Sequence, residues 1–370
     1  MEWFEREKLM RAMRCVRQQA LPEPLPRWDP NAAEIYFEEY MLHGTPYTLP
    51  MVGLKTSPCS WLLSGGGCTM CGYHLAGAWR RPVSSRNLLN QVHHALQTLH
   101  PVSRFPLVHI GSAGSLLDSA EVPDDICFQL FRALQNEGVK AVITESRPEY
   151  LREAKLRAIR EVFKGEIMVG IGLETASEDW RALCINKGLS TDTYIEAVEG
   201  LQQLGISFAN HVFLGKPFLT PREDIEDAVA AIRFSFEVGS EFAILMVSHL
   251  HPNTLTYWLY ERHLYELPKL WAPLQVLSML EPATRSRVVI KGVDKMSPEP
   301  IAFASNCSRC TDEVCRLIEM WNQTRDYAFV EAALNSCDCR EAWLRELNRT
   351  GEGDRWRRTL YETVISELLA

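Results

Sequence analysis

The stretch CSWLLSGGGCTMCGY, residues 59–73, carries three cysteines, Cys59, Cys68 and Cys71, at C-x8-C-x2-C spacing. Three thiolates can hold three corners of a cubane iron–sulfur cluster, which leaves the fourth iron without a protein ligand. The glycines at 65–67 let the backbone curl round a bulky inorganic core, because glycine tolerates positive φ. The stretch therefore predicts a cluster whose open iron binds a small molecule.

A structural zinc site is the main alternative for these three cysteines. Structural zinc prefers four closed protein ligands, and His74 is the only further candidate ligand close by in the sequence. Three buried, inert cysteines in one loop are the remaining alternative. The spacing by itself leaves both alternatives open.

The composition is that of a globular chain, with 370 residues, of which 46% are hydrophobic and 23% charged. The formal net charge of −8 and the pI of about 5.8 indicate no general attraction to nucleic acid. The count of 11 cysteines, without a signal-peptide pattern, indicates a reducing cytoplasm and metal-binding or catalytic thiols. No apolar run approaches the roughly 18 residues of a membrane-spanning helix, so we expect no membrane partner.

From residue 47 the chain alternates short apolar strands with helical stretches, which predicts a parallel sheet with right-handed crossovers. The expected α/β fold is a partial (β/α)6 TIM-like barrel over residues 48–278, with its chemistry at the carboxyl ends of the strands. The predicted strands are Thr48–Lys55, Leu107–Ile110, Ala141–Thr144, Ile167–Leu173, Ser207–Phe213 and Phe242–Ser248. The predicted helices are Asn87–Leu99, Asp124–Glu137, Pro148–Val162, Thr191–Leu204 and Glu223–Val238.

We expect the chain to be organised in three segments. Residues 1–46 would provide an amphipathic helix over residues 2–19, acting only as a cap on the body, and a proline-rich connector. Residues 47–295 would form the barrel, and residues 296–370 a cysteine-rich C-terminal extension.

Small or polar residues follow the predicted strands. The loop at 111–118 either lets a ligand approach the backbone closely or forms a simple turn. Glu145 and Arg147 follow the third strand, where a carboxylate and a guanidinium suit a zwitterionic amino acid group or pair with each other. Glu174 ends the fourth strand, where it can accept hydrogen bonds from ribose hydroxyls. The remaining groups of this kind are Asn186, Lys187, Gly188 and Lys216.

Five motifs in this order resemble those of the radical S-adenosylmethionine enzymes: CTMCGY at 68–73, GSAGSLLD at 111–118, ESRPEY at 145–150, GLETAS at 172–177 with INKG at 185–188, and GKPFLT at 215–220. The narrower resemblance is to the Elongator-like branch, which includes the radical subunit of archaeosine synthase that acts on tRNA. It spans roughly residues 55–278. The x8 spacing departs from the x3 spacing commonest in that superfamily, and Met70 replaces the usual aromatic residue.

The resemblance implies a [4Fe-4S] cluster on Cys59, Cys68 and Cys71, whose open iron chelates the amino and carboxylate groups of S-adenosylmethionine. An external one-electron reductant would then supply the electron that breaks a C–S bond. The resemblance also implies cofactor contacts from the loop after the second strand, from the polar groups at later strand ends and from the residue two places after Cys71. These residues are Tyr73, Gly111, Ser112, Gly114, Ser115, Glu145, Arg147, Glu174 and Lys216.

Five more cysteines lie in the C-terminal region: Cys307, Cys310, Cys315, Cys337 and Cys339. A helix predicted over residues 314–334 would fold the two groups of cysteines toward each other. Three interpretations stay open: a structural zinc site, a second iron–sulfur cluster, and a thiolate site for a soft, thiophilic substrate.

Two substrate hypotheses and one non-enzyme alternative follow. The first is a small thiophilic acceptor on the C-terminal cysteines, namely trivalent arsenic (arsenite) that receives the 3-amino-3-carboxypropyl group in a transferase reaction, as a resemblance to the radical enzymes of arsinothricin biosynthesis implies. The second is a modified tRNA base, although a basic stripe is missing and the arginines at 80, 81, 355, 357 and 358 are scattered. The third is a non-catalytic iron–sulfur or zinc scaffold. His249, His251 and Trp258 either line the substrate mouth or are ordinary loop residues.

Overall fold

The computed structural model describes residues 1–19, 28–42, 45–76, 81, 83–294, 296–347 and 353–370. Within them, eight strands form one sheet in which every strand pairs with its neighbour in sequence. The first two strands, β1 (Glu34–Leu42) and β2 (Thr45–Leu54), pair antiparallel, and all later pairs are parallel. The later strands are β3 (Val108–Ser112), β4 (Ala141–Glu145), β5 (Glu166–Glu174), β6 (Ser207–Leu214), β7 (Phe242–Val247) and β8 (Val288–Lys291).

The six predicted strands are present as β2 to β7, which confirms the partial TIM-like barrel. The sequence did not predict the strands at the two edges. In β1 the charged residues hide the alternation, and Phe37 on this strand is exposed. The other edge strand, β8, has only four residues, which is too few for a periodicity to be recognised.

The two edge strands of the sheet approach each other across the barrel. Lys291 on β8 forms an ion pair of 2.8 Å with Glu38 on β1. The six-stranded barrel that the sequence predicts is therefore enlarged by one strand at each edge, and its lateral opening is narrowed by side chains.

Helices connect the strands and cover the sheet. Two of them, at residues 85–99 and 221–237, begin at capping boxes formed by Ser84 with Asn87 and by Thr220 with Glu223. None of the described helices combines the length and apolar character that a membrane crossing requires. The helices are α1 (Arg6–Gln18), α2 (Ser60–Gly65), α3 (Ser85–Leu99), α4 (Asp124–Asn136), α5 (Glu153–Val162), α6 (Glu178–Trp180), α7 (Thr191–Gln203), α8 (Pro221–Glu237), α9 (Leu255–Glu261), α10 (Trp271–Met279), α11 (Pro282–Arg285), α12 (Thr311–Thr324), α13 (Tyr327–Leu334), α14 (Cys339–Leu347) and α15 (Gly353–Leu369).

The single helix predicted over residues 314–334 is wrong, because the chain forms two helices there. Arg325 ends α12 in the left-handed region, with a φ of 60°. The Asp326 side chain then accepts a hydrogen bond from the backbone N–H of Ala328 and begins α13. The predicted outcome, that the two groups of cysteines fold toward each other, is nevertheless found.

The N-terminal segment contributes more than a cap. Its helix α1 packs on α15, and the rings of Trp3 and Phe4, just before α1, contact Tyr361 of α15. Leu9 and Met13 of α1 are fully buried in the same cluster. Since the same segment also supplies β1, it is part of the body of the fold. Most of the predicted connector, residues 20–27, lies outside the described residues.

Candidate functional site

The three-cysteine loop lies at the carboxyl end of β2. Cys59 precedes the short helix α2, and Gly66 and Gly67 then turn the chain back in the left-handed region with φ values of 81° and 77°. A Cβ atom at Gly66 would lie 2.7 Å from the Cβ of Met13. The glycine is therefore required both by its backbone conformation and by the close approach of α1.

Arg17 of α1 holds this loop, and the sequence analysis missed it. Its buried guanidinium donates hydrogen bonds to the carbonyl oxygens of Gly66 (3.1 Å), Cys68 (2.6 Å) and Cys71 (2.9 Å). It also donates to the carbonyl oxygen of Asn253 at 2.6 Å. The N-terminal helix therefore fixes the backbone around two of the three predicted cluster cysteines.

His74 does not fit the role of a fourth zinc ligand. Its Nδ1 lies 3.3 Å from Nη1 of Arg17. Burial, together with the positive charge of Arg17, lowers the pKa of His74 to about 2, so the ring is neutral. Because the Arg17 guanidinium can only donate, Nδ1 accepts from it and the one proton of the neutral ring is on Nε2, so neither nitrogen offers a lone pair to a metal.

The charges around the cysteines favour a bound anionic group. Burial raises the pKa of Cys59 to about 12 and also raises the pKa of Cys71. Three buried cations, Arg17, Arg147 and Lys187, act electrostatically on one or more of these cysteines. Among the described residues, the hydrogen-bond partners of Arg17 are carbonyl oxygens and His74, without a carboxylate. Metal-bound thiolates would supply the missing negative charge, so this donor set fits an iron–sulfur cluster.

The segment INKG at 185–188 is attached to the same loop. The Asn186 side chain donates to the carbonyl oxygens of Gly65 (2.9 Å) and Gly67 (2.8 Å). Lys187 forms a buried ion pair of 2.8 Å with Glu174. Glu174 has a φ of 67°, an uncommon conformation for a residue with a side chain that often marks a functional position.

Glu145 and Arg147 point to different places, so they do not form the pair that the sequence left open. Arg147 forms an ion pair of 2.6 Å with Glu149, and it donates to the carbonyl oxygen of Lys187 at 2.7 Å. Glu145 faces the inside of the barrel, where its Oε1 lies 3.6 Å from Nε2 of His109 and 3.7 Å from Nε2 of His211.

A second residue that the sequence analysis missed is Glu121, a buried carboxylate beside the cysteine loop. It accepts hydrogen bonds from the backbone N–H groups of Ser115 (2.9 Å) and Ser60 (3.4 Å). Burial raises the pKa of Glu121 to about 8. A Cβ atom at Gly114 would collide with this carboxylate. Gly114 therefore leaves room for the Glu121 carboxylate, and the backbone N–H of Ser115 hydrogen-bonds to it.

A cavity of about 610 Å³ fills the barrel. Tyr73 of the cysteine loop lines it, together with Gly111 and Ser112 after β3. Glu145 also lines the cavity, and so do His109 and His211, the two histidines next to Glu145. Nε2 of His109 is buried and has no hydrogen-bond partner among the described residues. The cavity thus joins the cysteine loop to a polar cluster in the barrel interior.

Lys216, one of the predicted cofactor contacts, lies in a buried cluster of ion pairs. Its ammonium group is fully buried and donates to the carbonyl oxygen of Phe213. It also forms ion pairs with Asp224 (3.1 Å) and Asp227 (3.0 Å). These partners use its three N–H donors.

His249, His251 and Trp258 are not among the residues that line the cavity. His251 packs against Gly72 of the cysteine loop, where a Cβ atom would collide with its ring. Trp258 is buried in the cluster that contains α1. These positions do not support a substrate mouth, and Trp258 lies on α9 and not in a loop.

Four of the C-terminal cysteines come together. The Sγ atoms of Cys307, Cys310, Cys337 and Cys339 all lie within 4.8 Å of one another. Cys315 is separate, with its Sγ 3.8 Å from the carbonyl oxygen of Val293. None of these five cysteines lines the barrel cavity.

The scattered arginines do not form a basic stripe among the described residues. Arg357 is buried against Glu223 at 2.6 Å, and Arg358 pairs with Glu362 on the same helix. Arg81 stacks on the ring of Trp28. Arg80 lies outside the described residues.

No model of a known protein family matches the chain. The chain is 26% identical to archaeosine synthase subunit beta of Methanosarcina acetivorans over 92% of this chain and 96% of that protein. It is 26% identical to archaeosine synthase subunit beta of Thermococcus kodakarensis over 81% of this chain and 92% of that protein. The solved structure of methylornithine synthase superposes with a TM-score of 0.46 at 15% identity, covering 89% of this chain and 92% of that chain. The resemblance to an archaeosine synthase subunit that the motifs indicate is confirmed by these two relatives, over 92% and 81% of the chain.

Proposed function

We propose that the protein is a radical S-adenosylmethionine enzyme that modifies a tRNA base. The observation that carries this proposal is the three-cysteine loop, which lies above the barrel cavity and is surrounded by Arg17, Arg147 and Lys187. Cys59, Cys68 and Cys71 would hold a [4Fe-4S] cluster. When bound, the cluster would coordinate S-adenosylmethionine and supply the electron that breaks its C–S bond.

The residues near the loop would orient the cofactor. Glu121, buried next to Cys59, is mostly protonated at neutral pH because its pKa is about 8, and it would lose that proton to pair as a carboxylate with the methionine ammonium group. Glu174, held by Lys187 at 2.8 Å, can accept a hydrogen bond from a ribose hydroxyl through its second carboxylate oxygen. Tyr73 and the residues of the cavity wall would shield the radical from hydrogen donors dissolved in the solvent, which would otherwise quench it.

The cavity supports a base as substrate. Glu145 can accept hydrogen bonds from adjacent N–H donors, such as those on the edge of a guanine-type base. His109 and His211 offer further ring nitrogens on either side of it. An enzyme that acts on one base takes that base out of its stack and into a pocket of its own. The relatives named archaeosine synthase subunit beta support the same class of substrate.

A partner subunit would supply the tRNA-binding surface. The net charge is −8, and Arg357 and Arg358 are paired with carboxylates. Proteins that bind the phosphate backbone tightly present unpaired cations along it. The relatives carry the name of one subunit of an enzyme, which agrees with radical chemistry on this chain and tRNA binding on a partner subunit.

Arsenite as a small thiophilic substrate has weaker support. The four clustered cysteines are soft ligands, but they do not line the cavity next to the cysteine loop. A radical formed in the barrel would have no direct path to an acceptor held there.

The test uses tRNA from a strain that lacks this gene, because that tRNA keeps the unmodified precursor base. The reconstituted, dithionite-reduced chain is incubated with this tRNA, S-adenosylmethionine and an extract of the same strain, which supplies any partner subunit. Mass spectrometry of the digested nucleosides should show one nucleoside lost and a new one formed. Unchanged nucleosides, together with an arsenic adduct when arsenite is added, would contradict the tRNA proposal.

Two variants localise the substrate site. Glu145→Gln should lower tRNA modification at least tenfold and leave uncoupled cleavage of S-adenosylmethionine in place. Glu166→Gln is the matched control, because Glu166 lines the same cavity at the opposite end of the strands. Equal modification by both variants would remove Glu145 from the substrate site.

A further inference from the structure

We infer that Cys307, Cys310, Cys337 and Cys339 hold one zinc ion in a site separate from the radical chemistry. The sulfur separations carry this inference. Sγ of Cys307 lies 3.6 Å from that of Cys310 and 3.7 Å from that of Cys337, and Sγ of Cys310 lies 3.7 Å from that of Cys339.

These separations match a single tetrahedral ion. A Zn–S bond is about 2.3 Å long, so the edge of a regular ZnS4 tetrahedron is about 3.8 Å. A cubane cluster places each of its four thiolates on a different iron, at the outside of a core of eight atoms, and therefore holds the sulfurs much farther apart. The site is too compact for a second iron–sulfur cluster.

The surroundings of the sulfurs are also those of a metal site. Backbone N–H groups of Arg309 and Cys339 hydrogen-bond to Sγ of Cys307 and Sγ of Cys337 respectively. Such bonds orient metal-bound thiolates and stabilise their charge. Cys310 is the residue before α12 and Cys339 is the first residue of α14, so two helix N-termini face the site.

The position of the site gives it a structural task. It joins the beginning of α12 to the beginning of α14, and α12 contacts both edge strands of the barrel, β1 and β8. Asn322 of α12 bonds the backbone of Ile290 on β8 in both directions, at 2.9 Å and 2.6 Å. The ion would therefore fix the helix that supports the closing edge of the barrel. Because the four cysteines do not line the cavity, the ion would not contact the substrate.

The fifth cysteine provides the matched control. Cys315 lies on α12 as well, but its sulfur contacts the carbonyl oxygen of Val293 and does not belong to the group of four. Cys315→Ser should therefore keep the metal, whereas Cys310→Ser and Cys337→Ser should lose it.

The test measures the metal content of the full chain carrying Cys59→Ala, Cys68→Ala and Cys71→Ala, which removes the iron–sulfur site. Mass spectrometry of the elements should find one zinc per chain and less than a tenth of an iron, and adding Cys315→Ser should leave this unchanged. If the serine variants fail to fold, the zinc bound to the wild-type chain can be measured instead: a mercurial reagent that binds the thiolates should release one zinc per chain, which a zinc dye detects. One iron per chain, several irons per chain, or no metal would each overturn the assignment.

Discussion

Arg17→Ala is the perturbation with the largest calculable effect on the cysteine loop. The side chain makes four hydrogen bonds to buried or half-buried carbonyl oxygens, three of them in the loop. Hydrogen bonds from a charged donor contribute about 1.5 kcal/mol or more each, so their sum is about 6 kcal/mol. Water that enters the space left by the guanidinium replaces part of this, and we expect a loss of roughly 3–4 kcal/mol in the free energy of unfolding.

The assay is urea denaturation of the metal-free chain, followed by iron analysis after reconstitution. Arg17→Ala should unfold at lower urea and retain less than half of the iron of the wild type, because the backbone at Cys68 and Cys71 is no longer held. Arg11→Ala is the matched control on the exposed face of the same helix, and its effect should stay within about 0.5 kcal/mol. A loss of under 1 kcal/mol for Arg17→Ala with full iron loading would refute the reasoning.

Three other predictions concern single side chains. Glu121→Gln keeps the shape of the side chain but cannot become a carboxylate, so above the Glu121 pKa of about 8 the dissociation constant of S-adenosylmethionine should rise about 10- to 100-fold with unchanged iron content, as equilibrium binding would show. Lys216→Met leaves Asp224 and Asp227 without their shared cation, so it should cost about 3–5 kcal/mol of unfolding free energy while the folded fraction binds the cofactor normally. A folded Lys216→Met that fails to bind it would return Lys216 to the cofactor site. His109→Phe should abolish tRNA modification but retain the uncoupled cleavage of S-adenosylmethionine, with both products measured on the same samples.

The sequence predicts the centre of the fold better than its edges. The strands β2 to β7 are recognisable because each is an apolar run followed by small or polar residues. The edge strand β1 has glutamates at 34, 38 and 39, which obscure its alternation, and β8 owes its pairing to its neighbour β7. Both depend on tertiary contacts that no local pattern encodes.

The cysteine loop could be predicted, but its supports could not. Arg17 lies four residues after Met13 and eight after Leu9, both fully buried. An arginine on the apolar face of a helix was a signal that could have been used. Glu121 gave no comparable signal, because its burial results from the packing of the loop after β3 against Ser60. His109 and His211 interrupt apolar strands and could have been identified as inward-facing polar positions.

The central claim is that Cys59, Cys68 and Cys71 hold a cluster that cleaves S-adenosylmethionine, and the most direct measurement is mass spectrometry of the nucleoside products from the reduced, reconstituted chain. The account predicts 5′-deoxyadenosine or methylthioadenosine that depends on the reductant. It also predicts that the product is lost in Cys59→Ala and kept in Cys15→Ser, a change at a cysteine on α1. A preparation with four irons per chain that forms neither of these nucleosides would contradict the claim.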